Sequence, residues 1–415
     1  MKVLMVSEYF PPESRGGGEI SAFLLARELS KEKGIEVHVL TSHFPGLKKE
    51  ETLEKVKIHR LLKTGRDPNT FAGNLRRMLF FERSLLKQLK ILHKQEKFGI
   101  IHCMNASSAA AVKLKKKLNV PFVLHVNGPV LFCPKGTLMY KDKEICDRKC
   151  TRLVFLDCYM NSENIGKMRL NFFSRLNPGL IYTIRRRFET YQKHMDKFDF
   201  YMPISNYMRK RLLMAGIEPG KIKTIYNIAE FDRFLKLKQP RNKIPKILYL
   251  GEYSKPKGAH LLVEALKGIK EKYVCNFYGS GVLRDTLEKQ VNENNLSVKI
   301  NDKVSYSEIP KIMEKHDILV YPSAVGEAFG RAVLEACAAG KLVLASDIGG
   351  IPDIINSKTG FLFRAGDANE LRSLLQKALK KEISVDIKKI RQEIKKKFAA
   401  KHIKKDVAAV YKRLK

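Results

Sequence analysis

The chain has 415 residues, of which 44% are hydrophobic and 9% aromatic. This length is too great for one ordinary core and predicts two domains, and the composition excludes a disordered or low-complexity chain. Lys and Arg number 79 against 43 Asp and Glu, a formal net charge of +36. Such a charge favours polyanionic partners, namely nucleic acid, anionic lipid or phosphorylated substrates. The alternative is that the basic residues only cover solvated helix faces.

The first half of the chain predicts a parallel α/β domain. A strand at Val3–Val6 is followed by a loop with the glycines Gly16–Gly18, a helix, and a second strand at Val37–Leu40. This order is a βαβ unit, which implies a parallel sheet with right-handed crossovers. Further short apolar runs predict strands of the same sheet at Ile100–Cys103, Phe122–His125 and Phe200–Met202.

A second α/β series is predicted after Pro240, with a helix at about 259–269. Its strands are predicted at Ile247–Leu250, Cys275–Tyr278, Ile318–Tyr321 and Leu342–Ala345. The charged segment 229–244 is the predicted linker. We therefore expect an α/β fold with two doubly wound Rossmann-like domains facing a cleft, residues 1–230 and 243–397, and a helix 398–415 that packs back on the first domain. Ligands of such sheets bind beyond the carboxyl ends of the strands.

Nothing in the sequence predicts secretion or a membrane-spanning helix. The apolar run at the start is too short for a signal-peptide core, and no stretch of roughly 18 apolar residues occurs. The seven cysteines are an odd number, which argues against a disulfide framework. The sequence therefore predicts a cytoplasmic protein.

Residues 321–367 carry the most specific pattern of the chain. They contain Pro322-Ser323 after a strand, Glu327 and Glu335 separated by seven residues, a turn at 349–352, and Thr359-Gly360 before Gly366-Asp367. This pattern closely resembles the donor-site region of the retaining GT-B fold glycosyltransferases of family 4 (glycosyltransferase group 1). Segments 204–206, 225–227 and 251–258 resemble further markers of that family. The resemblance covers most of the chain and is thinnest at about 60–100 and 129–195.

The resemblance implies transfer of a sugar from a nucleotide-sugar donor with retention of anomeric configuration. It assigns Glu335 to both ribose hydroxyls and Glu327 to hydroxyls of the transferred sugar. Lys257 would contact the leaving diphosphate, where a fixed cation lowers the barrier as negative charge develops. His125 would lie near the transferred sugar. The leaving phosphate itself would take the acceptor proton. Lys257, Glu327 and His125 are therefore the expected catalytic residues.

Further donor-binding residues are expected at strand ends and at a helix start, where free backbone N–H groups suit an anion. They are Gly17, Gly18, Glu252, Gly279, Phe329, Gly330 and Arg331. Glu252 stands where the family usually has an Arg after the glycine. Either Lys255 or Arg331 substitutes for that cation, or phosphate binding is weaker, or catalysis is impaired. No cofactor and no metal are expected, because no Asp-x-Asp motif occurs in a suitable loop.

Four of the cysteines fall within 26 residues of each other. Their spacing differs from that of a standard zinc ribbon, so free thiols are favoured over a zinc site or another cross-link. The four are Cys133, Cys146, Cys150 and Cys158.

Two segments, 75–97 and 167–187, combine cations with large apolar residues. This composition predicts helices or loops on an anionic membrane surface, and the alternative is that they pack on their own domain. The acceptor is therefore predicted to be lipid-linked or a glycan. Three other functions stay open: a sugar-nucleotide epimerase of the same architecture, a non-catalytic sugar-nucleotide-binding subunit, and a nucleic-acid binder. No nucleic-acid motif accompanies the charge, which disfavours the last of these.

Overall fold

The computed structural model describes residues 1–13, 17–65, 73, 76–165, 168–169 and 171–415. The chain divides into two compact units. The N-terminal unit comprises Met1–Ala229 together with Ala400–Lys415, and the C-terminal unit comprises Glu230–Ala399.

The N-terminal unit is built around a largely parallel sheet. Its strands are Lys2–Val6 (β1), Glu36–Ser42 (β2), Glu50–Leu53 (β3), Val56–Leu62 (β4), Ile100–Cys103 (β5), Phe122–Val126 (β6), Met139–Tyr140 (β7), Glu144–Ile145 (β8), Asn164–Ile165 (β9), Met168–Arg169 (β10) and Phe200–Pro203 (β11). The main sheet has the order β11-β6-β5-β1-β2-β4-β3, and β3 pairs antiparallel with β4 while the other neighbours are parallel. The pairs β7–β8 and β9–β10 are short antiparallel ribbons outside it.

The α-helices of this unit before Ala229 stand between its strands in the chain, except Asn206–Met214, which follows β11. The α-helices are Gly17–Leu29 (α1), Glu82–Glu96 (α2), Lys115–Leu118 (α3), Arg152–Met160 (α4), Phe172–Leu176 (α5), Pro178–Gln192 (α6) and Asn206–Met214 (α7). A π-helical turn, Arg77–Phe81, precedes α2. Short 3-10 helices are Ser107–Leu114, Pro129–Leu131, Met195–Lys197 and Pro219–Lys221.

The C-terminal unit contains a fully parallel sheet. Its strands are Lys246–Leu250 (β12), Val274–Tyr278 (β13), Val298–Asn301 (β14), Ile318–Tyr321 (β15), Leu342–Ser346 (β16) and Phe361–Phe363 (β17). The order is β14-β13-β12-β15-β16-β17, so the strand order reverses between β12 and β15. In doubly wound sheets this reversal opens a crevice at the carboxyl ends of the two strands, where ligands bind.

The helices of the C-terminal unit cover its sheet. The α-helices are Asp232–Leu235 (α8), Ala259–Leu266 (α9), Arg284–Glu293 (α10), Ile309–Glu314 (α11), Arg331–Ala338 (α12), Ala368–Leu379 (α13) and Ile387–Phe398 (α14), and the 3-10 helices are Lys255–Lys257 and Ile351–Asp353. The chain then returns to the N-terminal unit through Ala400–Leu414 (α15), whose residues Ile403, Val407, Val410 and Tyr411 join the core formed with α1 and the sheet.

The predicted class, an α/β protein with two Rossmann-like units, is confirmed, but two predicted boundaries differ from the structure. The segment 229–244 was expected to be a linker, yet it contains α8, and Phe234 of that helix is fully buried. The last helix begins at Ala400, while Phe398 ends α14 and packs edge-on against Phe329 at 5.8 Å. Buried aromatic side chains therefore hold both ends of the C-terminal unit in place, although the sequence around them is mostly charged.

Candidate functional site

Two loops meet at the strand reversal of the C-terminal unit. The first follows β12 and contains Lys257, and the second follows β15 and contains Glu327. The Ala324 amide donates to the Pro256 carbonyl at 2.9 Å, and the Ser323 hydroxyl lies 3.3 Å from the same oxygen. The backbones of the two loops are therefore held against each other at the sheet edge where a ligand of this fold binds.

Gly258 makes this close approach sterically feasible. Its φ is +70°, and a Cβ built there would lie 1.8 Å from the carbonyl oxygen of Pro322. A glycine is needed on both grounds, since it tolerates positive φ and has no side chain to collide with the facing backbone. Lys257, the neighbouring residue, is thereby fixed beside the second loop.

Lys257 and Glu327 form an ion pair across the two loops. The Lys257 Nζ contacts Oε1 of Glu327, and the Ser323 hydroxyl donates to the same oxygen at 2.9 Å. Tyr321 also hydrogen-bonds Glu327, and desolvation together with this carboxylate raises the pKa of Tyr321 well above its usual value. The side chains of Lys257 and Glu327 remain 32% and 15% exposed. Both groups are thus oriented by their neighbours and still reachable by a ligand.

A second glycine fixes the backbone of Glu327. A Cβ at Gly349, whose φ is +63°, would lie 2.3 Å from the Glu327 carbonyl oxygen. The next residue, Gly350, donates its amide to that oxygen at 2.7 Å. The glycine turn identified in the sequence therefore supports the loop that presents the carboxylate.

Glu335 is a buried carboxylate on α12. It is 2% exposed, and the Tyr306 hydroxyl donates to its Oε1 at 2.5 Å. The guanidinium of Arg233 lies over the Tyr306 ring, 4.1 Å from the centroid. Burial raises the pKa of Glu335, while Tyr306, Arg331 and Arg233 oppose the shift. A carboxylate in this position is a strong acceptor for a pair of neighbouring hydroxyls, because little water competes for it.

The start of α12 carries the other residues predicted there. Gly330 is the N-cap residue at φ +90°, and Arg331 is the first residue of the helix. The Phe329 ring is 6% exposed and packs on Phe398, so this residue can contact a ligand only through its backbone. Gly330 and Arg331 therefore stand at the start of the helix that carries Glu335, shortly after the loop of Glu327.

The positions after β12 and β13 form a third contact between strand-end loops. Tyr253 donates its amide to Ser280 O at 2.9 Å, which places the loop of Gly279 against that of Glu252. The Tyr249 hydroxyl donates to the Glu252 carbonyl at 2.9 Å, and the Glu252 side chain is exposed. The carboxylate that replaces the expected Arg can therefore turn into solvent.

His125 lies in the N-terminal unit, on β6. It is 1% exposed, and its Nδ1 is 3.3 Å from Nε2 of His102. Burial lowers the pKa of His125 to about 4. His102 in turn bonds the Tyr411 hydroxyl, 2.6 Å from its Nδ1. The histidine is therefore neutral near pH 7 and is connected to the last helix of the chain.

The predicted glycine loop near residue 17 is wrong in part. Gly17 and Gly18 are the first residues of α1 and not loop residues, while Gly16 lies outside the described residues. Glu19 stands in the first turn, where a carboxylate complements the helix dipole. A helix start tolerates glycine better than a helix interior does, which explains why the glycine run does not delay the helix.

The four clustered cysteines are free thiols. Across the described ranges of the chain, no group of three or more His, Cys, Asp or Glu side chains is arranged to hold a metal ion. Desolvation raises the pKa of Cys150 to about 12, so this thiol stays protonated. The Cys158 sulfur accepts the Lys141 amide at 3.3 Å. The remaining two, Cys133 and Cys146, are buried and partly buried.

The two basic segments predicted to bind membrane differ in structure. Helix α2 buries Leu85, Leu89 and Leu92 against its own unit, as the packing alternative requires. Helix α5, in contrast, exposes Phe172 by 70% and Phe173 by 81%. Positions 75, 167 and 170 of these segments lie outside the described residues. In the part of the chain that the structure describes, no helix has the length and hydrophobicity to span a bilayer.

Sequence patterns did not identify several residues that contact these groups. Tyr306 follows β14, an edge strand with polar positions that no periodicity singled out, and Arg233 lies in the segment predicted as a linker. Ser323 belongs to the motif that the sequence shows at 321–367, but the motif predicts no role for it. Tyr411 comes from a helix more than 280 residues from His125 in the sequence. Its contact with His102 is visible only in the three-dimensional structure.

Comparisons with known proteins identify two family models along the chain. The model described as Glycosyltransferase Family 4 matches residues 15–233, more than half of the chain. The model described as Glycosyl transferases group 1 matches residues 231–400.

Individual proteins are also similar to this chain in sequence. The uncharacterized 41.2 kDa protein in cps region of Klebsiella pneumoniae is 32% identical over 181 residues, which cover 41% of this chain and 49% of that protein. The uncharacterized glycosyltransferase MJ1607 of Methanocaldococcus jannaschii is 26% identical over 361 residues, 86% of this chain and 83% of that protein. The chain therefore spans about half the length of the first curated relatives it matches and most of the length of others.

A solved structure, that of Anabaena Alr3699/HepE in complex with UDP-glucose, matches with a TM-score of 0.67 and 16% identity, covering 100% of both chains. At this level of identity the likeness shows a common fold.

Proposed function

Because this chain belongs to the glycosyltransferases of family 4 and group 1, we propose that its C-terminal unit binds a nucleotide-sugar and that the protein transfers the sugar to an acceptor. The observation that carries the proposal is the arrangement of three groups after β12 and β15: Lys257 pairs with Glu327 across the two strand-end loops, and the buried carboxylate of Glu335 stands on the helix that follows the Glu327 loop. A nucleotide-sugar presents a ribose, a sugar and a diphosphate, which suit Glu335, Glu327 and Lys257 respectively.

In this proposal Glu335 accepts hydrogen bonds from the two ribose hydroxyls. Its burial makes these bonds strong, because the carboxylate has lost most of its water. Tyr306 holds one carboxylate oxygen and so fixes the orientation of the group. A site built to bond hydroxyls in this way rejects analogues that lack them.

Lys257 is proposed to bind the donor diphosphate. The ammonium is now paired with Glu327, so a diphosphate of higher charge competes for it and frees the Glu327 carboxylate for sugar hydroxyls. As the bond between sugar and phosphate breaks, charge develops on the leaving diphosphate, and a fixed cation then stabilises the transition state more than the ground state. The backbone at Gly330 and the side chain of Arg331 add positive potential at the helix start.

Retention of configuration and a metal-free mechanism are part of the same proposal. Neither carboxylate is proposed as a nucleophile, since Glu327 accepts from Ser323 and would accept from sugar hydroxyls, and Glu335 accepts from Tyr306 and would accept from the ribose. The leaving phosphate would take the acceptor proton. Glu252 is exposed, and we propose that Lys255 or Arg331 supplies the second cation that the family usually places at position 252.

The acceptor is proposed to be a lipid-linked glycan presented at an anionic membrane. Helix α5 exposes Phe172, Phe173 and Leu176, and helix α4 exposes Leu153 by 80% beside Arg152, whose side chain is 83% exposed. Aromatic and aliphatic side chains with adjacent cations suit the boundary between headgroups and acyl chains.

Vesicle sedimentation tests the membrane part of the proposal. The protein is expected to sediment with vesicles containing phosphatidylglycerol and to stay in solution with phosphatidylcholine alone. Replacing Phe172 and Phe173 by Ser should abolish sedimentation, while Met214→Ser, which changes another exposed apolar residue of this unit, should not. If equal amounts of protein stay in solution with and without anionic vesicles, the proposed membrane binding is wrong.

A thermal-shift screen followed by a transfer assay tests the donor. Nucleoside diphosphates and their sugars should raise the unfolding temperature for one base class, because a ligand that binds only the folded state stabilises it. UDP-glucose is the first donor to test, since a structure of the same fold was solved with it. Isomerisation of the donor in the absence of an acceptor would instead indicate an epimerase. A protein that binds the donor but neither transfers nor slowly hydrolyses it would be a non-catalytic subunit.

A further inference from the structure

A chain of hydrogen bonds connects the last helix of the protein to His125. Tyr411 on α15 bonds His102 on β5 at 2.6 Å, and His102 lies 3.3 Å from His125 on β6. All three side chains are buried, with exposures of 0%, 0% and 1%. The two rings stack with centroids 5.3 Å apart, so the histidine pair is held by packing as well as by hydrogen bonding.

Both histidines are neutral near pH 7. Burial lowers the pKa of His125 to about 4, and burial together with His125 lowers the pKa of His102 well below its usual value. A neutral imidazole carries one N–H and one acceptor nitrogen. If both hydrogen bonds are kept, the donors and acceptors along the chain can therefore point in only two directions, from Tyr411 towards His125 or from His125 towards Tyr411.

In the first direction Tyr411 donates to Nδ1 of His102, and Nε2–H of His102 donates to Nδ1 of His125. The proton of His125 is then on Nε2. In the reverse direction Nδ1–H of His125 donates to His102, and His102 donates to the tyrosine oxygen. Among the residues that the structure describes, the fully buried phenol hydrogen then has no other acceptor, and Nε2 of His125 becomes a buried acceptor without a donor.

Counting unsatisfied groups decides between the two directions. Nε2 of His125 has no hydrogen-bond partner among the residues that the structure describes. The first direction leaves one buried group unsatisfied, the Nε2–H, whereas the reverse leaves two, and each such group is costly. The first direction is therefore the stable one, and it leaves one N–H donor at the carboxyl end of β6, the edge of a parallel sheet where ligands bind.

We propose that Tyr411, acting through His102, is a positioning residue that holds His125 in the tautomer protonated on Nε2, so that this N–H donates to a hydroxyl of the transferred sugar. The tautomer rests on the hydrogen-bond geometry and the burial of the three side chains, while the sugar as its partner rests on the proposed function. The C-terminal helix thus contributes to the site as well as to the core of the N-terminal unit.

Nitrogen-15 NMR of protein labelled in its histidine rings tests the tautomer directly. The signals of His125 are identified by their loss in His125→Asn. In the wild type, Nε2 of His125 should have the shift of a protonated nitrogen and Nδ1 that of an acceptor. The Tyr411→Phe variant should give a mixture of both tautomers, because nothing then fixes the direction of the His102–His125 bond. A wild-type His125 protonated on Nδ1, or an unchanged tautomer in Tyr411→Phe, would overturn the proposal.

A matched control separates this role from a general loss of packing. Tyr201 is another fully buried tyrosine of the same unit, and its hydroxyl donates to the Met195 carbonyl. Tyr201→Phe also deletes one buried hydroxyl, and it should leave the His125 shifts unchanged. In His102→Gln the amide oxygen can accept from Tyr411 and its NH₂ group can donate to His125, so this variant should keep the Nε2-protonated tautomer. Altered His125 shifts in Tyr201→Phe, or loss of the tautomer in His102→Gln, would contradict the relay.

Kinetics test the sugar contact separately. Tyr411→Phe is expected to lower kcat about tenfold, the scale of one hydrogen bond, with little change in the donor KM, while Tyr201→Phe keeps wild-type kcat. Unchanged kcat in Tyr411→Phe, with the tautomer mixed, would overturn the sugar contact. If no donor supports transfer, the proposed function fails, and the NMR result still decides the tautomer.

Discussion

The hydroxyl of Tyr306 donates a hydrogen bond of 2.5 Å to the carboxylate of Glu335. The tyrosine stands after an edge strand of the sheet and the glutamate on the helix that follows β15, so the bond connects the two sides of the strand reversal. Glu335 is 2% exposed, and the cost of burying its carboxylate is only partly offset by Tyr306 and the nearby cations, since its pKa is still raised. Such a group is retained when it is needed to bind a ligand, which makes Glu335 the first residue to test.

We predict that Glu335→Gln stabilises the protein and weakens nucleotide binding. Burial raises the pKa of Glu335 above its usual value of 4.5. As the pH rises, Glu335 therefore loses its proton in the unfolded chain before it does so in the folded protein. The free energy of unfolding consequently decreases as the pH rises through the pKa of the folded state. The glutamine variant should therefore melt about 2–4 °C higher than the wild type at pH 7, with the difference vanishing near pH 4. Calorimetry at both pH values checks this. Glu293→Gln, on an exposed helix face, is the control; an equal gain there would contradict the explanation.

We predict that Lys257→Met lowers kcat roughly 100- to 1,000-fold, because the leaving diphosphate loses its fixed cation. Lys267 is a matched control, since its side chain is 31% exposed against 32% for Lys257 and also forms an ion pair, at 2.7 Å with Glu264. Lys267→Met should leave kcat unchanged. Steady-state kinetics with saturating donor measures both, and similar losses in the two variants would show that Lys257 acts only through surface charge.

We predict that Gly258→Ala disrupts the contact between the two strand-end loops. Its Cβ would lie 1.8 Å from the Pro322 carbonyl, so the loop that carries Lys257 has to move. Gly268 has a similar φ of +79° but nothing within 4 Å of a Cβ, so Gly268→Ala carries the same backbone strain without the collision. We expect Gly268→Ala to cost about 1 kcal/mol of unfolding free energy and to keep nucleotide affinity, while Gly258→Ala loses affinity at least tenfold. Denaturant unfolding and titration calorimetry compare the two. Equal affinities would contradict the role of the close approach.

We predict that stability falls as the pH decreases from 6.5 towards 4, in part because of His125. Its pKa is lowered from 6.5 to about 4 by burial, so in this window the unfolded chain binds a proton that the folded chain does not. The contribution of this neutral histidine is complete above pH 6.5 and is lost as pH falls. Replacing His125 by Asn should therefore flatten the dependence of the unfolding free energy on pH, by on the order of 2–3 kcal/mol across the window. A variant with the same slope as the wild type would show that other groups cause the acid sensitivity.

Much of the fold could be predicted from the sequence, because buried parallel strands are short apolar runs that need no partner to be recognised. Val3–Val6 is such a run and is buried throughout. The strand Val298–Asn301 was missed since Lys299 and Asn301 interrupt its apolar pattern at the sheet edge. The segment with Phe234 was assigned to a linker because charge dominates its composition, whereas one buried aromatic side chain fixes its place.

The candidate site could be predicted where its residues are neighbours in the chain. Glu327, Gly330 and Glu335 fall in one segment whose spacing is specific. Tyr306 and Tyr411 could not be predicted in this way, because each reaches its partner from a distant element and a single tyrosine carries no pattern. Phe329 shows the opposite case: its position was correct, but its ring packs inside the unit and only its backbone can serve a ligand.

The most direct test of the central claim is titration calorimetry of the wild type and Glu335→Gln with a panel of nucleoside diphosphates at pH 7.5. We predict saturable binding of one base class by the wild type and at least a tenfold weaker affinity in Glu335→Gln, whose amide accepts fewer and weaker bonds from the ribose hydroxyls. Binding of equal affinity by the two proteins, or no binding of any nucleoside diphosphate to the wild type, would contradict a nucleotide-sugar site at Glu335.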